Sequence, residues 1–293
     1  ASGGSFNLLT GTPSVVPSLS FGARVTVDSG AVDFNTNTGA VTLTATQAFT
    51  SASNMTFGAV TVNSGVTLTN SVSTTLTLGA LTLASGATGV VLPTGSTTSV
   101  TGAVAFTANA TSTNTAITLN GTAALSVGGA LTFNTPSSTG TQTLDVGAGT
   151  LTVTGLTTLN GGANATSTVT ASTGTMNLNG GVTVGGTAAN GRVITTGAGI
   201  VNFVGTWAGA GTFTFDSTTT FNTSGTVALN ATITLPNLNV LSGTTSLGAV
   251  AIGINGATNV TGTLSYASGS QTKTFSGLVT INSGGSIDFN SLA

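Results

Sequence analysis

Residues 58–70 have the sequence GAVTVNSGVTLTN, two short runs in which apolar residues alternate with Thr. Alternation with a period of two is typical of a β-strand that buries one face. The linking Asn-Ser-Gly at 63–65 predicts a sharp turn, because Asn and Gly tolerate a positive φ. We therefore expect four side chains of this stretch to point into a core: Val60, Val62, Val66 and Leu68.

This phrase, Gly-Ala-apolar-Thr/Ala-apolar, returns along the chain. Close copies begin at Gly39, Gly58, Gly79, Gly102 and Gly129. Looser copies begin at Gly147, Gly180, Gly197, Gly209, Gly225, Gly248 and Gly277. The spacing between successive close copies widens along the chain, from the Gly39–Gly58 interval to the Gly102–Gly129 interval. An internal period near twenty, with variable length, is typical of a repeat architecture.

Two or three short strands in about twenty residues fit one coil of a single-stranded parallel β-helix, also called a β-solenoid. One coil cannot bury its apolar face alone, but stacked coils form a continuous core. The 293 residues then predict an all-β rod of about a dozen coils, with Thr and Asn stacked in ladders along its axis. Because Asn-Gly turns also form hairpins, one or two antiparallel β-sandwiches are the alternative fold.

The composition favours order over disorder. Only 3% of residues are charged, against about 25% in an ordinary globular domain. Disordered chains combine low hydrophobicity with high net charge or many Pro residues, whereas this chain is 39% hydrophobic, with a mean hydropathy of +0.45 and 5 Pro. The abundant Val, Thr and Ile pack well on pleated surfaces.

The few charges also limit the partners. Arg24, Arg192 and Lys273 are the only cations, so no basic patch is present to neutralise phosphates and we exclude nucleic acid. Because no uninterrupted apolar stretch reaches about 18 residues, we expect no membrane insertion. The chain begins ASGGSF without Met, which we interpret as a secreted or cell-surface protein whose signal peptide has been removed.

Catalytic and metal-binding groups are scarce. The chain has no His, Cys or Glu, and its carboxylates are Asp28, Asp33, Asp145, Asp216 and Asp288. Without His, a Ser–His triad is impossible. Asp28 and Asp33 flank a Ser-Gly turn and could form a Ca²⁺ site or an acid pair, but we favour a turn aspartate and a solvated strand aspartate. We therefore expect a non-enzymatic protein with no metal and no cofactor.

Pairs of the form Thr-x-Thr, such as Thr75/Thr77 and Thr150/Thr152, recur along the chain. On a regular solenoid they could form a flat hydroxyl lattice that binds ice. That lattice needs a nearly constant coil length, while the copies of the phrase are unequally spaced. Ice binding is therefore a minor alternative.

The GAVTV and GALTL phrases, the Asn-Gly turns and the bias to Thr, Ser, Gly and Ala resemble bacterial extracellular β-strand-repeat proteins. These include autotransporter passenger regions, filamentous-haemagglutinin-like adhesins and related fibre subunits. The resemblance covers residues 21–293 and is one of composition and period. It implies a secreted or cell-surface β-solenoid that forms fibres or, as the alternative, an adhesin that binds surface or matrix glycans.

Residues 1–20 contain Pro13 and Pro17 and lack the repeat, so we divide the chain into this N-terminal segment and a solenoid domain at 21–293. The segment is either a cap or a strand that pairs with a neighbouring subunit. No segment has the pattern of a capping helix, and uncapped coils expose strand edges. We therefore predict a head-to-tail homopolymer, with an interface that includes Phe6, Leu8, Leu9, Val15, Val16, Ile287 and Phe289.

Overall fold

The computed structural model describes residues 19–21, 32–33, 40–51, 54–108, 112–134, 139–162, 164–186, 190–267 and 271–289. In these ranges the protein is all-β, without a helix. Every strand pairing among them is parallel. The β-solenoid is therefore confirmed and the antiparallel sandwich was wrong.

Short strands follow one another along the whole described chain. Those of the first half are β1 Leu19–Phe21, β2 Val32–Asp33, β3 Val41–Leu43, β4 Gln47–Ser51, β5 Met55–Val62, β6 Thr67–Val72, β7 Thr75–Leu83, β8 Gly89–Leu92, β9 Thr97–Val100, β10 Val104–Phe106, β11 Thr115–Leu119, β12 Ala124–Val127, β13 Leu131–Phe133, β14 Gln142–Asp145, β15 Thr150–Val153 and β16 Thr157–Gly161. Those of the second half are β17 Ser167–Ala171, β18 Thr175–Leu178, β19 Val182–Gly186, β20 Gly191–Thr195, β21 Ile200–Gly209, β22 Thr212–Thr214, β23 Thr220–Asn230, β24 Ile233–Leu235, β25 Leu238–Val240, β26 Thr244–Leu247, β27 Ile252–Ile254, β28 Thr258–Val260, β29 Thr263–Tyr266, β30 Lys273–Phe275, β31 Val279–Ile281 and β32 Ser286–Asp288.

Each coil has three sides, which the chain visits in a constant order. Side 1 consists of β2, β9, β12, β15, β18, β25, β28 and β31 with the first halves of β5, β7, β21 and β23. Side 2 consists of β1, β3, β10, β13, β16, β19, β26, β29 and β32 with the second halves of those four long strands. Side 3 consists of β4, β6, β8, β11, β14, β17, β20 and β22, followed by β24, β27 and β30.

The described strands complete about ten turns from β5 to β30, and β2 to β4 and β31 to β32 extend the stack at its two ends, so the expected size of about a dozen coils is confirmed. The estimate assumed one coil length throughout, whereas the coils differ in length. Thr97 pairs with Ala124 in a long coil, and Phe221 pairs with Leu238 in a much shorter one.

The recurring phrase does not always occupy the same side. Its copies at Gly39, Gly58, Gly79, Gly102, Gly129, Gly180 and Gly225 each lead into a side 2 strand. The looser copies at Gly147, Gly197 and Gly277 lead into side 1, and those at Gly209 and Gly248 into side 3. The period-two pattern thus identifies strands, but it cannot distinguish between three sides that all bury apolar residues.

The core follows the alternation along each strand. Val60, Val62, Val66 and Leu68 are all buried, as the pattern predicts. The turn between them places Gly65 at a φ of +71°, in the left-handed region that favours Gly. Aromatic residues stack along the axis from coil to coil, with 4.3 Å between the ring centroids of Phe106 and Phe133.

The corner between sides 1 and 2 is a column of glycines: Gly58, Gly79, Gly102, Gly129, Gly155 and Gly180. Successive members hydrogen-bond through their backbones, as Gly102 N–H does to Gly79 O at 2.7 Å. A Cβ on Gly129 would lie 2.7 Å from the carbonyl carbon of Gly102, closer than non-bonded carbons approach. The Gly of the phrase therefore permits close stacking at this corner.

Not every Asn-Gly pair forms a turn. Gly121 has a φ of +55°, but Asn160 and Gly161 lie inside β16 and Gly191 begins β20. A Cβ on Gly161 would lie 2.4 Å from the carbonyl carbon of Asn190. At this position Gly is needed for the approach of a neighbouring coil rather than for a bend.

Candidate functional site

The charged side chains that the structure describes do not gather in one place. Asp145 lies on side 3, where its Oδ1 accepts a hydrogen bond from Gly147 N–H, and Asp216 accepts one from Thr218 N–H in the turn after β22. The Asp216 pKa is lowered by the Thr218 hydroxyl and backbone N–H. Among the described residues no group of three potential metal ligands is present.

The Asp28/Asp33 pair lies largely beyond what the structure describes. Asp28 is outside the described residues, and of Asp33 only the backbone is described, at the end of β2 and paired with Thr56. The Lys273 ammonium donates to the carbonyl oxygens of Val250 and Gln271, and desolvation lowers its pKa.

Side 1 carries a ladder of amides on its outer surface, which matches the expected Asn stacking. Its five members, one on each of five successive coils, are Asn177, Asn202, Asn222, Asn239 and Asn259. Each Nδ2 donates to the Oδ1 of the preceding member at 2.7–2.9 Å, and Asn177 donates to Thr152 Oγ1. We call this column the Asn ladder. It connects coils through side chains in addition to the backbone.

The Thr-x-Thr pairs are distributed over the sides. Thr75/Thr77 and Thr150/Thr152 lie on side 1, whereas Thr67/Thr69 and Thr212/Thr214 lie on side 3. A single lattice of these pairs is therefore not formed. On side 1 the outer hydroxyl column that contains Thr77, Ser99 and Thr152 is replaced by the Asn ladder from Asn177 onward.

The last described coil contains two of the predicted interface residues and leaves its core residues uncovered. Ile281 lies directly above Val260 and is 53% exposed, whereas Val260 is fully buried. Phe289 stacks on Tyr266 with 4.9 Å between ring centroids and is 56% exposed. Ile287 lies above the buried Leu264. We call the side chains of Leu278, Val279, Ile281, Ile287 and Phe289 the end face.

Three end-face residues were missed by the sequence interpretation. Leu278 is 75% exposed, and Val279 and Ile281 continue the inward columns of side 1. Their alternation in LVTI matches that of earlier strands, so this signal was available. The other predicted interface residues, Phe6, Leu8, Leu9, Val15 and Val16, lie outside the described residues. The division at residue 20 falls inside β1, which pairs with β3.

No family model, no curated protein and no solved structure matches this chain. The structure also contains, in the ranges that it describes, no helix with the length and apolar character needed to cross a membrane.

Proposed function

We propose that this protein is a non-enzymatic structural subunit of an extracellular filament, in which copies join end to end by β-pairing. The observation that carries the proposal is the end face. Its apolar side chains occupy the columns that are fully buried one coil earlier, at Val260 and Leu264. Covering them with another coil would remove further apolar surface from water.

The occupant that fits this end is another copy of the chain. Among the described residues β31 and β32 each have coil neighbours on one side only, so their other edges are open for pairing. A partner must offer parallel strands with the same spacing of apolar columns, and the coils of this chain do so. A net charge of −2 gives little repulsion between copies.

The geometry of such a contact determines the shape of the assembly. A contact between two different surfaces of identical subunits is heterologous, and without ring closure it produces an open filament. The N-terminal residues Phe6, Leu8, Leu9, Val15 and Val16 either cross this junction as a strand or cap the first coil.

Electron microscopy of the purified 293-residue chain tests the proposal. We expect thin fibres that resist denaturant. Ile281→Lys with Phe289→Lys should abolish them by placing charges at the junction, whereas Thr132→Lys with Thr158→Lys, on the outer surface of side 2, should leave them intact. Fibres that survive the end-face changes would refute end-to-end pairing.

A deletion of residues 1–18 separates the two versions of the junction. It leaves β1 in place. Loss of fibres would support a strand that crosses between subunits, and unchanged fibres would restrict the contact to the stacking of end coils.

A further inference from the structure

Side 3 is interrupted in the middle of the C-terminal half. Within the described residues β22 pairs only with β20, and β24 only with β27. The interruption adjoins the shortest coil, in which Phe221 pairs with Leu238. Because β24 does not pair with β22, Phe213 is only partly buried, whereas Val193, one coil earlier in the same column, is fully buried.

A pocket of about 250 Å³ lies at this interruption. We call it the seam pocket, and its lining residues are Phe215, Ser217, Thr234, Pro236, Asn255 and Gly256. Phe215, which is partly exposed, supplies apolar surface, while Pro236 also lines the pocket but is itself buried. The Phe215 ring is held by edge contacts to Trp207 and Phe221, with 6.1 and 5.9 Å between ring centroids. Packing against two buried aromatic residues fixes the orientation of this ring.

The remaining lining is polar and uncharged. The side chains of Ser217, Thr234 and Asn255 are exposed, and each can donate or accept hydrogen bonds. The nearest charge in sequence, Asp216, is engaged by the hydroxyl and N–H of Thr218. The pocket therefore offers no lining charge to a charged ligand.

A second depression, of about 240 Å³, continues from the seam pocket along side 3 and shares Thr234 with it. It is lined by the hydroxyl-bearing residues Thr232, Thr272 and Thr274 and by the partly exposed Ala251, while Ile252 also lines it but is buried. Two adjoining sites with the same mixture of hydroxyl and apolar groups suit a ligand built of repeated units.

We propose that the seam pocket binds one neutral sugar residue of a glycan, and that the adjoining depression receives the next residue. A sugar ring combines an apolar C–H face, which would lie on Phe215, with hydroxyl groups, which would bond Ser217, Thr234 and Asn255. A purely apolar ligand would desolvate these three side chains without replacing their hydrogen bonds to water. A charged ligand would enter without a countercharge.

The chain contains its own reporter for this test. Trp207 is the only Trp and contacts Phe215, so a sugar on Phe215 should change its fluorescence. Cellotriose, maltotriose and N,N′-diacetylchitobiose serve as neutral probes, and sialyllactose as an acidic one. We expect at least one neutral probe to bind with a dissociation constant on the order of a millimolar, as small ligands in shallow sites do.

Two variants at exposed positions should weaken this binding while the fold, checked by circular dichroism, persists. Ser217→Ala and Asn255→Ala each remove one hydrogen-bonding group, which corresponds to about a two- to tenfold loss of affinity. Thr154→Ala, at an exposed position between β15 and β16, lies outside both depressions; it is the matched control and should change nothing. Fibre formation should be unaffected by all three.

Three outcomes would overturn the proposal. The first is no binding of any neutral probe. The second is binding that persists unchanged in Ser217→Ala and Asn255→Ala. The third is sialyllactose binding as tightly as the best neutral probe.

Discussion

The coils in the middle of the chain differ in length from those near its C-terminal end. We call the coils that start between Thr97 and Thr175 the long coils; in them the stacked residues Thr152 and Asn177 lie 25 residues apart. We call those that start between Ile200 and Thr258 the short coils.

In the first of the long coils, which starts at Thr97, extra residues lie at the corner between sides 2 and 3. That link runs from Phe106 to Thr115 in a long coil but only from Asn230 to Ile233 in a short one. Loops thus absorb the length variation while strand pairing continues.

The two groups also hold their coils together differently. Side 3 of the long coils is one uninterrupted sheet with an aliphatic inner column of Ile117, Leu144, Val169 and Val193. The short coils begin at the interruption of side 3, next to which an aromatic cluster around Trp207 fills the core, and they carry most of the Asn ladder. We infer that aromatic packing and amide bonds replace part of the missing backbone pairing.

The largest effect is expected from breaking the aromatic cluster. Trp207 is fully buried against Phe203, Phe213 and Phe221, so Trp207→Ala should lower the free energy of unfolding by about 3–5 kcal/mol. Urea unfolding followed by circular dichroism measures this. Trp207→Phe should cost less, because it keeps a ring and removes an indole N–H that has no partner in the structure. Equal losses of unfolding free energy in Trp207→Ala and Trp207→Phe would show that ring packing does not determine stability at this position.

A smaller effect is expected at the glycine corner of the long coils. In Gly129→Ala the new Cβ meets the Gly102 backbone, which cannot move without disturbing the strands of sides 1 and 2. The free energy of unfolding should therefore fall by about 1–3 kcal/mol. Gly95 has a φ of +76° and open space around it. Gly95→Asn, the matched control, should therefore cost under about 1 kcal/mol in the same urea titration. If Gly129→Ala lowered the free energy of unfolding no more than Gly95→Asn does, close stacking at the glycine corner would be contradicted.

The third change compares the outer column of side 1 in the two groups. Asn222 donates to Asn202 and accepts from Asn239, so Asn222→Ala should cost about 1–2 kcal/mol by removing two hydrogen bonds. Ser99, on the same side in the long coils, lies outside the ladder. Ser99→Ala should stay within about 0.5 kcal/mol. Similar midpoints of urea unfolding for Asn222→Ala and Ser99→Ala would mean that the Asn ladder adds nothing to stability.

The smallest effect is expected from pH. The lowered pKa of Asp216 contributes stability that is lost only as the pH falls below about 4. Burial raises the pKa of Tyr266, so stability should fall above about pH 10, while the lowered pKa of Lys273 acts in the opposite direction near that pH. With no His, Glu or Cys, the urea midpoint should be flat between about pH 5 and 9. A marked dependence of the urea midpoint on pH within that range would reveal an additional contact made by a titrating group.

Alternation in the sequence was sufficient to predict strands and inward residues, and the internal repeat favoured a stacked parallel fold over the antiparallel alternative. Val60 and Leu68 are buried as expected because period two leaves only one apolar face to bury. The length of each individual coil was less accessible, since links at the corner between sides 2 and 3 vary in length without any change in the strand pattern.

The features that depend on side-chain contacts between neighbouring coils could not be located in this way. Asn177 and Asn202 are 25 residues apart, and Asn222 and Asn239 only 17, so no fixed period aligns the ladder. The seam pocket likewise arises because β22 and β24 do not pair with each other. The residue composition of these two strands does not predict that. The uncovered end-face strand β31 resembles an ordinary core strand until its neighbours are known.

Sedimentation velocity over a range of concentrations tests the central claim, end-to-end assembly through the end face, most directly. The account predicts that the 28.0 kDa chain forms species whose size grows with concentration. The variant that combines Ile281→Lys and Phe289→Lys should remain a monomer. A single monomeric species for the unchanged chain at every concentration would contradict the account.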